Sequence, residues 1–276
     1  MAIITLTSDF GLKDHHVASM KGAILSEVYD ANIVDISHSI SPFNLIEAAY
    51  IVKNTIKNFP KDTINIIAVD AEHSIKNKLI VAKIDDQYFI TADNGILSFL
   101  ISESSKTSFF EIVINSETDN YSIKALVKTA CHIARGGTMS IIGKPLSSIK
   151  EQKRAKPSIT EDGKRIIGSV IYIDNYGNVI TNITRDFFTL ARGNNKKFEI
   201  VARNNKWKTI FNRYNEIENF ETNDTEIKDG QKLALFNSSN FLELAIYRSN
   251  LGTVGGASTL LGLNYHDTIT INFDLL

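Results

Sequence analysis

The chain has 276 residues, of which 43% are hydrophobic and 22% charged, enough to bury one large core or two smaller ones. Its formal net charge of −1 supplies no basic field, so neither nucleic acid nor a membrane surface is an expected partner. The single cysteine, Cys131, excludes an internal disulfide framework and a Cys-rich metal site. With no signal segment at the first residues and no apolar run near the roughly 20 residues that span a bilayer, a cytoplasmic location is expected.

In chain order, residues 3–6 read as a buried strand. Val17, Met20, Ile24 and Val28 recur at helical spacing. Residues 32–36 form a second strand, and 44–59 a helix with Leu45, Ala48, Ala49 and Val52 on one face and Pro60 just beyond. Strands follow at 64–69, 79–83 and 88–91, then a helix at 124–134 that stops at Gly136-Gly137. This alternation predicts an α/β domain over residues 1–156, a mostly parallel sheet with Rossmann-like layers on both faces. The charged run 150–156, KEQKRAK, followed by Pro157, reads as a solvated connector.

Beyond it the pattern is nearly all strand: 166–173, 179–183, 198–202, 207–211, 232–236, 241–247 and 268–273. An all-β, barrel-like domain is expected over residues 157–276.

Four strands of the first half run into aspartate: Asp9, Asp35, Asp70 and Asp93. In open parallel sheets, ligands lie beyond the carboxyl ends of the strands. A carboxylate there can accept both hydroxyls of a ribose or face a cationic ligand. It can equally be a turn residue or a helix cap, and Asp35, ahead of Ser37-His38-Ser39, is read as a turn residue. No phosphate loop and no GxGxxG follows the first strand. The later Gly252, Gly255 and Gly256 read as loop glycines. The six histidines form no HxxxH or HExxH pair, so no metal ligand set is assigned. His132 reads as packed or superficial, Cys131 as core, and His73, three residues past Asp70, is the histidine to watch.

Several segments, in order along nearly the whole chain, together resemble the S-adenosylmethionine (SAM) hydroxide adenosyltransferase family, relatives of bacterial fluorinase and chlorinase. They are Thr7-Ser8-Asp9-Phe10-Gly11 with Asp14 and Met20-Lys21-Gly22; Asp35-Ile36-Ser37-His38 with Ser41-Pro42-Phe43 and Glu47-Ala48-Ala49-Tyr50; Ala92-Asp93-Asn94-Gly95; Ile173-Asp174-Asn175-Tyr176-Gly177-Asn178 with Thr181-Asn182-Ile183; and Phe236-Asn237-Ser238-Ser239 with Leu242-Glu243. The resemblance implies a homotrimer holding SAM between the N-domain of one subunit and the C-domain of its neighbour. It implies displacement at the ribose C5′ by water or hydroxide, giving adenosine and methionine, with SAM as substrate and no cofactor. It places Asp9 on the ribose hydroxyls, Asp14 nearby, and Phe43 against the ligand. Asp174 falls on the methionine ammonium, Tyr176 and Asn178 on adenine, and Asn237-Ser238 around its edge.

The resemblance departs at the water-activating residues. The family's Asp is present as Asp70. Its Arg, seven residues on, falls on Asn77, and its His falls near Tyr121 or Ser122. Asn77 and Tyr121 therefore stand as the candidate catalytic partners of Asp70. Lys76, Lys78 or His73 could restore a positive charge. Three readings remain: a SAM hydrolase with a rearranged site, a SAM or adenosine binder without turnover, and an enzyme using another nucleophile or adenosyl compound. Nothing in the sequence marks a halide pocket.

Overall fold

Strand β1 (Ile3–Ser8) is buried at residues 4–8, as only a strand covered on both faces can be. The computed structural model describes residues 1–114, 122–153, 155–194, 197–218 and 229–273. It divides into two compact units, Met1–Lys153 and Arg154–Leu276.

In the first unit, β1 leads through α1 (His16–Glu27) to β2 (Asn32–Ser37). Val17, Met20 and Ile24 of α1 are buried on one face. Helix α2 (Leu45–Ile56) starts where Asn44 accepts a hydrogen bond from Glu47 N at 3.1 Å, and Glu47 in turn accepts one from Asn44 Nδ2 at 3.1 Å. Such a cap stabilises by about 1 kcal/mol. Then follow β3 (Ile64–Ala68), β4 (Leu79–Ile84), β5 (Gln87–Ala92), α3 (Leu97–Leu100), β6 (Thr107–Ile112), α4 (Ser122–Ala134), α5 (Met139–Ile142) and β7 (Gly143–Leu146).

Among the described residues these strands form one sheet in the order β2-β1-β3-β5-β4-β6-β7. Pairing is parallel across β2-β1-β3-β5 and antiparallel from β5 onward. The expected parallel sheet is thus its first half. Strands β4 and β5 pair at Ile84 and Gln87 across Asp85-Asp86, and a two-residue link leaves no room for the crossover a parallel pair needs. The side chains of α1 and α4 pack into one core with β1, β3 and β5, while α2 and α3 share the second core. From β1 the chain turns to β2 on one side and later to β3 on the other. The crevice between the carboxyl ends of β1 and β3 is therefore the topological switch point, where ligands of such sheets bind.

The second unit contains β8 (Ser158–Ile159), β9 (Arg165–Ile173), β10 (Val179–Thr184), α6 (Arg185–Arg192), β11 (Phe198–Ala202), β12 (Asn205–Trp207), a 3-10 turn at Tyr214–Ile217, β13 (Lys232–Phe236), β14 (Phe241–Ile246), α7 (Ala257–Leu260) and β15 (Thr268–Phe273). Its antiparallel order is β12-β11-β15-β9-β10-β14-β13, with β8 on β9. A bridge between Phe211 and Leu235 brings the two edges together, making a nearly closed barrel-like sheet. Phe188, Phe198, Phe236 and Phe273 cluster in its core, with ring centroids 5.3–6.1 Å from Phe188.

The strand expected at 207–211 is instead the short β12, ending at Trp207. Its hairpin turns at Arg203-Asn204, with Arg203 at φ 51° and Ala202 opposite Asn205. Two residues suffice for that turn, which draws Asn205 and Lys206 into the strand. The 150–156 run is not merely a solvated connector, since Lys150 and Gln152 bond back into the first unit. Cys131 is fully buried, and burial pushes its thiol up to about 11. His132 Nε2 lies 3.1 Å from Thr138 O, its ring packed where a Cβ on Gly137 would sit.

Candidate functional site

Parallel pairing places the ends of β1, β3 and β5 on one edge. Asp9, Asp70 and Asp93 follow those strands directly or within two residues. Asp9 and Asp70 line a cavity of about 390 Å³, together with Phe10, Phe43, Ala71, Glu72, His73, Ile114, Ser122 and Ile123. Asp9 Oδ2 accepts hydrogen bonds from Phe43 N at 2.9 Å and from Asp70 N at 3.5 Å. Both residues it holds are left-handed, Phe43 at φ 63° and Asp70 at φ 45°. Such backbone costs roughly 1–3 kcal/mol and persists only where its surroundings enforce it. Asp9 Oδ1 has no partner among the described residues and is free to take a ligand.

Burial, then the charges of Asp9 and Glu72, raise the Asp70 carboxyl above the usual aspartate range, and Lys150 opposes them. That makes Asp70 a stronger base than an exposed aspartate. Asn94 fixes its turn by donating from Nδ2 to Val69 O and Asp70 O, each at 3.0 Å. Ser122 Oγ accepts from His73 N at 2.6 Å and pins the rim. Phe43 is 72% exposed and presents an aromatic face to the cavity.

Other candidates of the first unit lie elsewhere. Asp14 is exposed, before α1, and does not line the cavity. Asn77 also lies off the lining: its Oδ1 accepts from Lys150 Nζ at 2.8 Å. Lys78 is paired with Glu111 at 2.7 Å. Tyr121 falls outside the described residues. Asp93 Oδ1 accepts from Lys150 N at 2.8 Å. Asp35 lies inside β2 and pairs with Lys21 at 2.6 Å and with His38 at 3.1 Å. Burial alone would raise its carboxyl, but the hydrogen bonds and charges of those two partners outweigh it and hold it low.

In the second unit the β9–β10 turn is tied by Asp174. Its Oδ1 accepts from Tyr176 N at 2.8 Å and Asn178 N at 2.9 Å, and its Oδ2 from Asn178 Nδ2 at 3.0 Å. Gly177, at φ 77°, and Gly256 let this turn pack closely, since a Cβ on Gly256 would strike Tyr176 O. Tyr176 is 61% exposed. Asn178 Nδ2 also reaches Tyr214 Oη at 3.4 Å, and that hydroxyl donates to the buried Glu243 carboxylate. Glu243 is raised by burial, against the hydrogen bonds of Tyr214 and Asn237. Asn237 Oδ1 accepts from Ser239 N and Phe241 N at 3.0 and 3.2 Å, while Ser238 is exposed beside it. Asp174, Asn178 and Asn237 therefore join one polar cluster, whose buried Asn178 Oδ1 has no hydrogen-bond partner among the described residues.

Sequence reasoning missed Glu72, Lys150 and Tyr214. For Glu72 a signal was available: a second acidic residue two positions after Asp70. Lys150 and Tyr214 reach their partners only through long-range folding.

These features define a class: a two-unit protein with an α/β unit that carries a carboxylate-lined cavity at its switch point and a barrel-like β unit that carries a buried polar cluster. Residues 4–143 match the SAM hydroxide adenosyltransferase N-terminal domain, and residues 168–270 match the corresponding C-terminal domain. The chain belongs to this family. It is 29% identical to an (R)-S-adenosyl-L-methionine hydrolase of Methanocaldococcus jannaschii, over 98% of this chain and 95% of that one. It is 28% identical to a fluorinase of Nocardia brasiliensis, covering 72% and 77% of the two chains. A crystal structure of an uncharacterized conserved protein from Thermotoga maritima superposes with a TM-score of 0.79 at 27% identity, over 98% of this chain and 99% of that one.

Proposed function

We propose that this protein hydrolyses SAM to adenosine and methionine, with Asp70 as general base. The observation that carries the reading is Asp70 beside Asp9 in one cavity at the switch point, with its carboxyl raised by its surroundings. A cavity lined by Asp9, Asp70 and Glu72, with no lysine or arginine among its described lining residues, favours a cationic sulfonium and disfavours a free anion as nucleophile. Water is therefore the attacking group. Its oxygen bonds to C5′ as one proton passes to Asp70. The C5′–S bond breaks with its electron pair going to sulfur, which leaves as the neutral thioether of methionine. Asp70 then returns its proton to solvent.

Asp9 Oδ1 takes the ribose hydroxyls and Phe43 packs on the ligand. Asp174 faces the ammonium, Tyr176 stacks on adenine, and Asn178, Asn237 and Ser238 recognise its edge. Tyr121 completes the proposed catalytic set, whereas Asp14 and Asn77, which lie off the cavity lining, would act on it only from outside; a homotrimer is the proposed assembly. SAM is substrate and no cofactor is required.

A second reading, binding of SAM or adenosine without turnover, draws on one observation: Asn77, at the family's Arg position, is engaged outside the cavity. Incubation with SAM and chromatography for adenosine, with Asp70→Asn as control, decides between them. Calorimetric binding without adenosine would overturn the hydrolase reading. Sedimentation at a monomer mass with SAM present would remove the trimer.

A further inference from the structure

The segment Asp35-Ile36-Ser37-His38 closes β2, yet none of its residues lines the cavity. Between β1 and β2 the register steps from Leu6 beside Asp35 to Thr7 beside Ser37, so Ile36 is an extra residue in β2. Successive strand residues alternate in face, and one extra residue reverses that order. Asp35 and His38, three apart, therefore reach the same side, and the His38 ring meets Ser8 at the end of β1. Nδ1 lies 2.7 Å from Ser8 Oγ, and Nε2 lies 3.1 Å from Asp35 Oδ1. A carboxylate at Nε2 favours the ring proton there, which leaves Nδ1 to accept from the Ser8 hydroxyl. Ser8 is wholly buried and His38 is 4% exposed, so bulk water does not compete for this bond. Ser8 Oγ in turn accepts from Phe10 N at 3.4 Å, and His38 O accepts from Gly11 N at 2.8 Å.

We propose that His38 is a positioning residue of the cavity, whose ring bond to Ser8 and carbonyl bond to Gly11 set the turn at 8–11 and with it the Asp9 carboxylate. Asp9 and Phe10 are the cavity residues of that turn, and both lie between the two points that His38 holds. Asp9 Oδ2 then accepts from Phe43 N at 2.9 Å, and Phe43 stands five residues beyond His38 in the same connection between β2 and α2. The end of β1 is thus tied to this connection twice, once beneath the cavity through His38 and once at its wall through Asp9. Asp35 touches only the far side of the ring and is shared with Lys21. The inference rests on the reading of Asp9 as a ligand contact only for its effect on SAM affinity; the geometry of the turn is independent of that reading.

The test uses side chains that keep one edge of the imidazole and drop the other. Asparagine places its amide near the Nδ1 position and keeps an acceptor for Ser8, whereas glutamine reaches the Nε2 position and leaves Ser8 without one. SAM affinity is read by calorimetry, and the backbone amide of Phe43 by nitrogen-15 NMR without ligand. Both are measured in wild type, Ser8→Ala, His38→Gln, His38→Asn and Asp35→Ala, well below their melting temperatures, so a folding loss does not mimic the effect. Ser8→Ala and His38→Gln are expected to weaken SAM binding roughly 3- to 10-fold, the range of one hydrogen bond. They also move the Phe43 amide proton upfield as its bond to Asp9 lengthens. His38→Asn restores both readouts towards wild type. Asp35→Ala strips only the far side of the ring and leaves both in place.

An unmoved Phe43 amide in Ser8→Ala and His38→Gln overturns the proposal, as does a change in His38→Asn equal to that in His38→Gln. If the amide moves as expected while SAM affinity is unchanged, or wild type binds no SAM, the positioning role stands and the reading of Asp9 as a SAM contact falls.

Discussion

Asp9, Asp70 and Glu72 line one open cavity with no lysine or arginine among its described lining residues, whereas Asp174 and Glu243 accept hydrogen bonds from Tyr176 N, the Asn178 backbone and side chain, and the Tyr214 hydroxyl. Both regions are acidic. In the first, repulsion and left-handed backbone are retained, and a carboxyl is left basic. In the second, among the described residues, both carboxylates accept hydrogen bonds and one buried acceptor, Asn178 Oδ1, has no partner. The first arrangement suits moving a proton, the second holding a ligand's N–H. The difference teaches where to look for chemistry in such a protein: among groups whose charges remain uncompensated, rather than where polar residues are most numerous.

Asp70→Asn strikes that contrast hardest. It should cut adenosine formation about 10²–10⁴-fold, a far larger effect than on SAM affinity, where Asp9 and Glu72 still face the sulfonium. Because burial and two carboxylates raise the Asp70 carboxyl, the folded state holds this proton more tightly than the unfolded chain. The group's stability contribution is therefore present at low pH and is lost as pH rises through its folded pKa. A neutral Asn should accordingly raise Tm by roughly 1–2 °C at pH 7. A lower Tm in a melting scan would show that the two carboxylates do not repel as described.

Asp9→Ala removes the proposed ligand contact and the turn-holding hydrogen bonds together. Calorimetry should show SAM binding weakened by about 1.5–3 kcal/mol, and unchanged affinity would take Asp9 out of the site. In the quieter region, Tyr214→Phe leaves a buried carboxylate short of a donor. Denaturant unfolding should show a loss of about 1–3 kcal/mol, with kcat retained; a stable variant with a lost kcat would reverse the assignment of roles. The smallest effect is expected for Asp35→Ala. Asp35 and its partner Lys21 are both partly exposed, while its other partner His38 is buried, so stability should fall by about 1 kcal/mol and adenosine formation should be unaltered.

Much of the fold is legible because its signals are local. The spacing of Val17, Met20 and Ile24 marks α1, and the run before Asp9 marks a strand buried on both faces. β6, β7 and the helix α6 escape, since their short apolar patterns gain meaning only beside partners distant in sequence. The cavity is half legible. Strand-end position singles out Asp9 and Asp70, but it also singles out Asp35, whose partners Lys21 and His38 make it structural. Lys150 is 74 residues from Lys76, the backbone it bonds. No window of sequence records that contact, and a lysine in a charged run carries no mark of it. Tyr214, 29 residues from Glu243, is hidden for the same reason.

One carboxylate oxygen, Asp9 Oδ2, holds the backbone of both Phe43 and Asp70. The aromatic wall and the proposed base therefore share an anchor, and neither is energetically independent of the other. Changes at the two positions should fail to add, with a coupling in the range of about 0.5–3 kcal/mol seen for residues sharing a partner. Selection acting on the shape of the ligand wall would then also retune the strength of the base.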